Sequence, residues 1–456
     1  MDIKDKKILV IGAGISGNAA AKLTKELGAA EVILSDSKAE KDLKWDFAEL
    51  REAGVKLVFG PQENSLLEGV DLIIMSPAVP VRIPLIQEAY KRGIKVTSEV
   101  ELAWSLAKSP MLAVTGTNGK TTTVTLLGML MRTRYPNAGV GGNIGIPLCE
   151  EAVKAGENSC VVAEISSYQM EASEDFCPHI AVMLNVTPDH VVRHGNLEVY
   201  QQMKEKMFAK QTMNDYLVLN YDDEKTRGMA ERAHSQVVYF SRKEELQEGA
   251  FLQEDWLTIS WQGQVCRLCK VEDLKIKGGH NVENALAAAL AAYLGGAVIP
   301  KIIEVLKSFA GVEHRIEPVA TVGGVPYYND SKATNTDSAI KALQSFDDHI
   351  VLIAGGDDKH TDLTEFMTKV KQRCDALILV GDAAERFTKE AVANGFPEDN
   401  IYQAGYSMEK AVEIARSISG VPQTVLLSPA CASFDMYSGF EERGRDFKRL
   451  VKELLK

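Results

Sequence analysis

A lysine and a threonine placed directly behind a glycine turn are suited to holding a chain of phosphates. Residues Met111–Thr123 read MLAVTGTNGKTTT. The apolar run from Met111 to Val114 predicts a buried strand, and Thr122–Met131 has the spacing of a helix. Between them stand Gly116, Thr117, Asn118, Gly119, Lys120 and Thr121. Glycines let successive backbone N–H groups turn toward one centre, and the following helix N-terminus adds positive potential. In such a loop Lys120 reaches the terminal phosphates and the Thr121 hydroxyl holds Mg²⁺. The usual spacing is G-x-x-x-x-G-K-[ST]; here the first glycine stands nearer, as G-T-N-G-K-T. A glycine turn that merely starts a helix is the plainer alternative.

Other polar groups fall at the ends of apolar runs. The predicted strand Cys160–Ile165 ends in E-I-S-S-Y-Q, and Glu164 is where a metal-holding acid belongs after a phosphate loop. Strand Ile180–Asn185 runs into V-T-P-D-H, placing His190 on the same sheet edge; a histidine beside an aspartate is as often structural. Leu197–Lys210 predicts a helix carrying Lys204, Lys206 and Lys210. Lysines on a helix usually form a solvated face, and spacing promotes none of them. Asn143 sits in G-G-N-I-G, a loop open to ligand approach. Asn281 and Asn284 lie one turn apart at the start of an Ala-rich helix to Leu294, where they could face one ligand or cap the helix.

Toward the N-terminus, strand Lys7–Gly12 meets Gly12-Ala13-Gly14-Ile15-Ser16-Gly17, helix Asn18–Leu27 and strand Val32–Leu34, which ends at Ser35-Asp36. This is G-x-G-x-x-G with a following acid in a βαβ unit. Alone it points to a dinucleotide such as NAD, with Asp36 on a ribose. The same helix N-terminus physics holds UDP equally well. Further strands are predicted near Val55–Phe59, Leu72–Met75 and Lys95–Thr97, and Ser76-Pro77-Ala78 lies at a strand end, where open α/β sheets bind ligands. Helix Glu99–Ala107 and the break at Lys108-Ser109-Pro110 predict a linker. Residues 236–276 read as β-rich and irregular. Past Glu313-His314-Arg315, strands Val325–Tyr328, Ile350–Ile353, Ala376–Val380 and Thr424–Leu427 alternate with helices. Three of them end in N-D-S-K-A-T-N, G-G-D-D-K and S-P-A-C-A-S-F-D.

At 456 residues the chain suggests about three domains. The alternation of strands and helices predicts an α/β protein: a Rossmann-like domain over 1–98, a central P-loop ATPase-like domain with a mostly parallel sheet over 99–311, and a Rossmann-like domain over 312–456. A net charge of −12 argues against a nucleic-acid binder, so a polyanionic ligand must be held by local cations and loop amides. Residues 1–7 lead straight into a short apolar strand, so no membrane segment is expected there. The seven scattered cysteines fit a reducing cytoplasm. Cys266 and Cys269 form a lone C-x-x-C with no second ligand pair, which reads as two free thiols rather than zinc.

The motifs GTNGKTT, GGNIG, EISSYQ, NVTPDH, GGHNVEN, EHR, NDSKATN, GGDDK and SPACASFD occur in that order over nearly the whole chain. This resembles the Mur ligases, ATP-dependent amide-forming enzymes. The related folylpolyglutamate synthase lacks a UDP-binding N-terminal domain of this kind. The SPACASFD and GGDDK loops resemble those of the D-glutamate-adding members, and the Asp-Asn-Pro-Arg pattern of the diaminopimelate- or lysine-adding ones is absent. The resemblance implies UDP rather than NAD at Gly12–Gly17. It implies a cytoplasmic monomer of peptidoglycan precursor synthesis that uses ATP, UDP-N-acetylmuramoyl-L-alanine and D-glutamate through an acyl phosphate. Ile15, Ser16, Gly17, Asp36, Ser37, Lys38, Ser76, Pro77, Ala78 and Asn143 would surround the nucleotide sugar. Gly116, Thr117, Asn118, Gly119, Lys120, Thr121 and Thr122 would hold the ATP phosphates, with Asn281, Asn284, Arg315 and Asp330 on the rest of ATP. Thr121, Glu164, His190 and Lys204 would serve two Mg²⁺ ions, Lys204 as a carbamate by its place in Y-Q-Q-M-K. Lys120, Glu164, His190 and Lys204 would be catalytic. Lys332, Thr334, Lys359, Ser433, Phe434 and Phe440 would hold D-glutamate. The chain departs from the family pattern at Ala78, where glycine is common, and at Val192, where relatives commonly carry an aspartate.

Overall fold

The computed structural model describes every residue except Lys44, 188–190, 347–348, Lys359 and Lys456, with the backbone alone of Val191 and Val192. The residues fall into two compact units, Met1–Asp273 with Val282–Lys307, and Leu274–Asn281 with Ser308–Lys456. The first unit holds two sheets. Strands β1 (Lys7–Ile11), β2 (Glu31–Asp36), β3 (Lys56–Phe59), β4 (Leu72–Met75) and β5 (Lys95–Ser98) form a parallel sheet in the order β3-β2-β1-β4-β5. Ile8 to Ile11 are fully buried, as expected of a central parallel strand covered by helices on both faces. Strand order reverses between β1 and β4, so the Gly12 turn and the Ser76 loop meet at the switch point.

The second sheet contains β6 (Met111–Thr115), β7 (Gly139–Gly142), β8 (Val161–Glu164), β9 (Ile180–Met183), β10 (Tyr216–Asn220), β11 (Gln236–Ser241), β12 (Gly249–Gln253), β13 (Trp256–Trp261) and β14 (Gln264–Lys270). Their order is β14-β13-β12-β11-β10-β9-β6-β8-β7, antiparallel only at β12-β13-β14. The irregular stretch expected at 236–276 thus resolves into four strands. Cys266 and Cys269 both lie in β14 as free thiols. The two sheets share one apolar core that runs from Ile8 and Val10 to Leu217 and Leu219. Helix Glu99–Leu106, expected as a linker, is a packed element of that core. Glu99 is buried, accepts from Cys149 N at 2.7 Å, and burial raises its carboxyl pKa. The helix expected to reach Lys210 stops at Glu205; Met207 N and Phe208 N bond the carbonyls three residues back, tightening the next turn.

The second unit builds β15 (Glu317–Val322), β16 (Val325–Asn329), β17 (Ile350–Gly355), β18 (Cys374–Val380), β19 (Ile401–Gly405) and β20 (Thr424–Leu427) into one sheet, β15-β16-β20-β17-β18-β19. Only β15 runs antiparallel. Strands β15 and β19 were not anticipated. They are the two edges, mostly half-exposed, and lack the continuous apolar run that marks a buried strand. Because β20 inserts between β16 and β17, the loop from Ser428 onward lies between the loops that follow the other two. The molecule is thus α/β with three mostly parallel sheets.

Candidate functional site

Strand β6 hands the chain to a loop whose glycines sit at positive φ, 156° at Gly116 and 85° at Gly119. A Cβ on Gly119 would lie 2.3 Å from Asn284 Oδ1, so glycine lets the loop close against that amide. Asn185 braces the loop from β9: its Oδ1 accepts from Asn118 N at 2.9 Å and its Nδ2 donates to Asn118 O at 3.2 Å. Thr117 Oγ1 lies 3.2 Å from both Thr187 O and Tyr200 OH, and accepts from Thr187 N at 3.0 Å. Thr121 and Thr122 are buried at the start of helix Lys120–Arg132. Lys120 Nζ donates to Gly116 O at 3.0 Å and Thr117 O at 2.9 Å. Lys204 is 1% exposed. Its Nζ donates to the same Gly116 carbonyl at 3.0 Å and sits 4.5 Å from the Tyr200 ring centroid. Two ammonium groups therefore converge on one loop carbonyl, the electrostatics a polyphosphate calls for.

Glu164 ends β8 in register with Val114 of β6. It is buried, and its Oε1 accepts from Asn143 Nδ2 at 2.9 Å while its carbonyl accepts from Asn143 N at 2.8 Å. Asn143, expected beside the nucleotide sugar, is held to the acid by these two bonds. Gly142 permits this approach, because a Cβ there would lie 2.4 Å from Glu164 O. Glu164 Oε2 is buried with no hydrogen-bond partner among the described residues. A buried carboxylate oxygen without a donor is costly unless a cation serves it, and a hard oxygen suits Mg²⁺. His190 lies outside the described residues.

The β1/β4 switch point opens into a cleft of ≈ 770 Å³. Gly12, Gly14, Asp36, Ser37, Lys38, Ser76 and Ala78 line it, with Trp45 and Gln62, which the sequence did not single out. Gly12 has φ 96°, and a Cβ there would meet Ser76 Cβ at 2.7 Å. Asp36 orders the turn: Oδ2 accepts from Ala13 N at 2.9 Å and Oδ1 from Lys38 N at 3.0 Å. Gly17 is buried in the helix that follows, where a Cβ would lie 1.8 Å from the Gly12 carbonyl oxygen. Ile15 and Ser16 begin the same helix, Ile15 being half-exposed.

One cluster joins this cleft to the second sheet. Arg193 Nε and Nη2 form a fork on Glu171 at 2.8 and 2.7 Å. Nη1 and Nη2 also donate to Ala78 O at 3.3 Å and Pro77 O at 3.4 Å. Lys206, outside the helix and half-buried, donates to Met170 O, Glu171 O and Ser173 O, each at 3.1 Å; burial lowers its pKa. The expectation of a solvated lysine face therefore fails for Lys204 and Lys206, while Lys210 is exposed. Arg193 is visible in the sequence only as a basic residue near His190.

In the second unit Asp330 is buried at the end of β16. Its Oδ2 accepts from Ser428 Oγ at 2.7 Å and its Oδ1 from Ile316 N at 3.2 Å. Burial dominates these bonds and pushes its pKa up to about 7. Lys332 Nζ lies 5.3 Å from the Phe440 ring centroid. Thr334 N donates to Lys332 O at 2.9 Å. Ser433 is buried and Phe434 is 67% exposed. Lys359 lies outside the described residues. Asn281 belongs to this unit and donates to Lys277 O, whereas Asn284 belongs to the first and accepts from Thr123 Oγ1. The sequence missed Arg443, which is buried and donates to Ser331, Cys431 and Ala432.

Residues 6–98 match the Mur ligase MurD-like N-terminal domain, 114–292 the Mur ligase middle domain, and 314–431 the Mur ligase glutamate ligase domain. A protein of Caldanaerobacter subterraneus named UDP-N-acetylmuramoylalanine–D-glutamate ligase is 44% identical over 454 residues, covering 100% of both chains. The chain belongs to the Mur ligase family. A second such ligase, from Pelotomaculum thermopropionicum, is 44% identical over 100% of this chain and 99% of its own. The crystal structure of UDP-N-acetylmuramate-alanine ligase from Thermotoga maritima superposes with a TM-score of 0.58 at 21% identity, covering 98% of this Mur ligase and 99% of that chain. That likeness extends the fold, not the substrate, to this Mur ligase. No helix among its described residues is long and apolar enough to cross a membrane.

Proposed function

We propose that this Mur ligase joins D-glutamate to UDP-N-acetylmuramoyl-L-alanine with cleavage of ATP to ADP and phosphate, as a cytoplasmic monomer in peptidoglycan precursor synthesis. The observation that carries the reading is the glycine loop after β6, with Lys120 donating to the Gly116 carbonyl and the buried acid Glu164 at the neighbouring strand end, in a chain 44% identical to ligases of that name. Residues 1–98 would bind the nucleotide sugar, 99–311 ATP, and 312–456 the amino acid. A carboxylate does not condense with an amine in neutral water, so ATP first converts the alanyl carboxylate to an acyl phosphate. That step is phosphoryl transfer, in which positioning and charge neutralisation carry the catalysis. Lys120 would balance the charge gathering on the transferred phosphate. Asn185 holds the loop through both its amide atoms, and Asn284 accepts from Thr123 in the helix that follows. The amino-acid nitrogen then attacks the acyl carbon, and phosphate leaves.

Thr121 and Glu164, with His190 and Lys204, would hold Mg²⁺, which supplies charge neutralisation when bound. Asn143 fixes Glu164 by its Oε1, leaving Oε2 for the cation. Lys204 enters this set as a carbamate: a bare ammonium repels a divalent cation, whereas addition of CO₂ to the neutral amine reverses the charge and presents two oxygens. Asp330 and Arg315 would complete the ATP site, and Lys332, Thr334, Lys359, Ser433, Phe434 and Phe440 that of D-glutamate. Phosphate release tests the reading. It is expected only when ATP, UDP-N-acetylmuramoyl-L-alanine and D-glutamate are all present, and not with D-alanine. Release without an amino acid, or equal use of D-alanine, would overturn it. Intact mass of the native protein should show the CO₂ increment, absent in Lys204→Ala.

A further inference from the structure

One side chain reaches the loops that follow β16, β17 and β20. Arg443 extends from helix Phe440–Glu453 and is 2% exposed. Its Nε donates to Ser331 Oγ at 3.0 Å, Nη2 to Ser331 O at 2.8 Å and Cys431 O at 3.1 Å, and Nη1 to Ala432 O at 2.9 Å. On the third loop, a Cβ at Gly356 would lie 3.0 Å from Nη1, so glycine makes room for the guanidinium. Ser331 Oγ passes the connection on, donating to Phe440 O at 2.8 Å. All three nitrogens of the fork are thus engaged, and every acceptor is neutral.

A buried guanidinium is ordinarily paired with a carboxylate, because desolvating the charge is costly otherwise. Among the described residues no carboxylate oxygen comes within 4.0 Å of Arg443. The side chains of Asp330, Asp435, Tyr437 and Cys431 act on it only through space. Burial pushes its pKa down to about 10, so it stays a cation at neutral pH. A clasp alone could be made with neutral groups. A charge kept here, at strand ends where open sheets bind ligands, has the character of a site for an anion.

We propose that Arg443 is a positioning residue that fixes these three loops and supplies the unpaired positive charge that draws in an amino acid bearing two carboxylates. This rests on the D-glutamate reading above. The experiment is steady-state kinetics of full-length wild type, Arg443→Lys and Arg443→Gln, with the KM of each co-substrate measured in turn. KM reports only molecules that have folded, so partial misfolding does not disguise it. Lysine keeps the charge and loses the fork; glutamine keeps hydrogen bonding and loses the charge. The KM for D-glutamate should rise by a few-fold in Arg443→Lys and by about tenfold or more in Arg443→Gln. The values for ATP and the nucleotide sugar should stay within about twofold. Raised ionic strength should increase the wild-type KM for D-glutamate more steeply than that of Arg443→Gln. Equal KM values in the two variants would reduce Arg443 to a clasp, and unchanged values in both, or a joint rise for all three co-substrates, would overturn the proposal. Failure of the wild type to use D-glutamate would instead overturn the functional reading, so the two failures are distinct.

Discussion

Replacing Asp330 with Asn should make the second unit more stable at neutral pH and less dependent on pH. The carboxyl is buried and receives two donors, Ser428 Oγ and Ile316 N, yet its pKa is pushed from 3.8 up to about 7. Desolvation therefore outweighs both bonds and the field of Arg315. The folded state keeps the proton between about pH 4 and 7, where the unfolded chain releases it. With more protons bound in the folded state, stability falls as pH rises through that window. The rise from 3.8 to about 7 is worth at most ~4 kcal/mol, at ~1.4 kcal/mol per tenfold change in proton affinity. Asn carries no charge, so Asp330→Asn should match the wild type near pH 4.5 and exceed it by about 2–4 kcal/mol at pH 8. Urea unfolding at the two pH values measures this. Trp45, Trp104, Trp256 and Trp261 all lie in the first unit, so fluorescence follows that unit while far-UV circular dichroism follows both. A difference confined to the dichroism is expected. Parallel pH slopes in variant and wild type would refute the reasoning. If Asp330 holds ATP, the stabler variant should also be the slower enzyme.

Lys120→Ala should lower kcat by orders of magnitude with little change in melting temperature, because its side chain is only partly buried; near-normal turnover would remove it from phosphoryl transfer. Lys206→Met leaves three carbonyls without their cation and should cost about 2–3 kcal/mol, read as a fall in melting temperature with unchanged CO₂ labelling at Lys204. Glu171→Gln breaks the charge of the Arg193 fork; its penalty and that of Arg193→Met should be markedly non-additive in a double-mutant cycle on kcat/KM, and simple additivity would deny the pairing.

Legibility in the sequence followed the distance over which each role is played out. The strand, glycine loop and helix around Gly116–Thr121 could be read because the turn, its lysine and its threonine are neighbours in the chain. The same holds for Gly12–Gly17 and Asp36, whose carboxylate caps the turn it follows by one strand. The bracing residues could not be read. Arg443 meets Ser331 across 112 positions, and Arg193 reaches Ala78 across 115. Nothing in the sequence joins Asn143 to Glu164, and only the pairing of β7 with β8 reveals the acid as its partner. Edge strands β15 and β19 carried too little apolar pattern to be seen. A signal for Arg443 does exist. Helix Phe440–Glu453 buries Phe447, Leu450 and Val451, and Arg443 falls on that same stripe one turn earlier. A charge on an apolar stripe asks what it is buried against.

The sheet orders explain why loops so far apart in sequence act together. In the second unit the last strand, β20, enters between β16 and β17 rather than at an edge. The S-P-A-C-A-S-F-D loop is thereby flanked by N-D-S-K-A-T-N and G-G-D-D-K, and all three leave the same edge of a parallel sheet. The helix that follows β20 can then send one guanidinium to Ser331, Cys431 and Ala432 and press it against Gly356. The first unit solves its problem the same way, with the loop after β6 held by Asn185 after β9 and Lys204 further on, while Glu164 stands at the end of β8. In each unit a parallel sheet supplies the fixed edge, and one or two buried polar side chains set the loops on it. Substitutions at those braces should therefore alter positioning before they alter the fold, and this separates them from the apolar residues beneath.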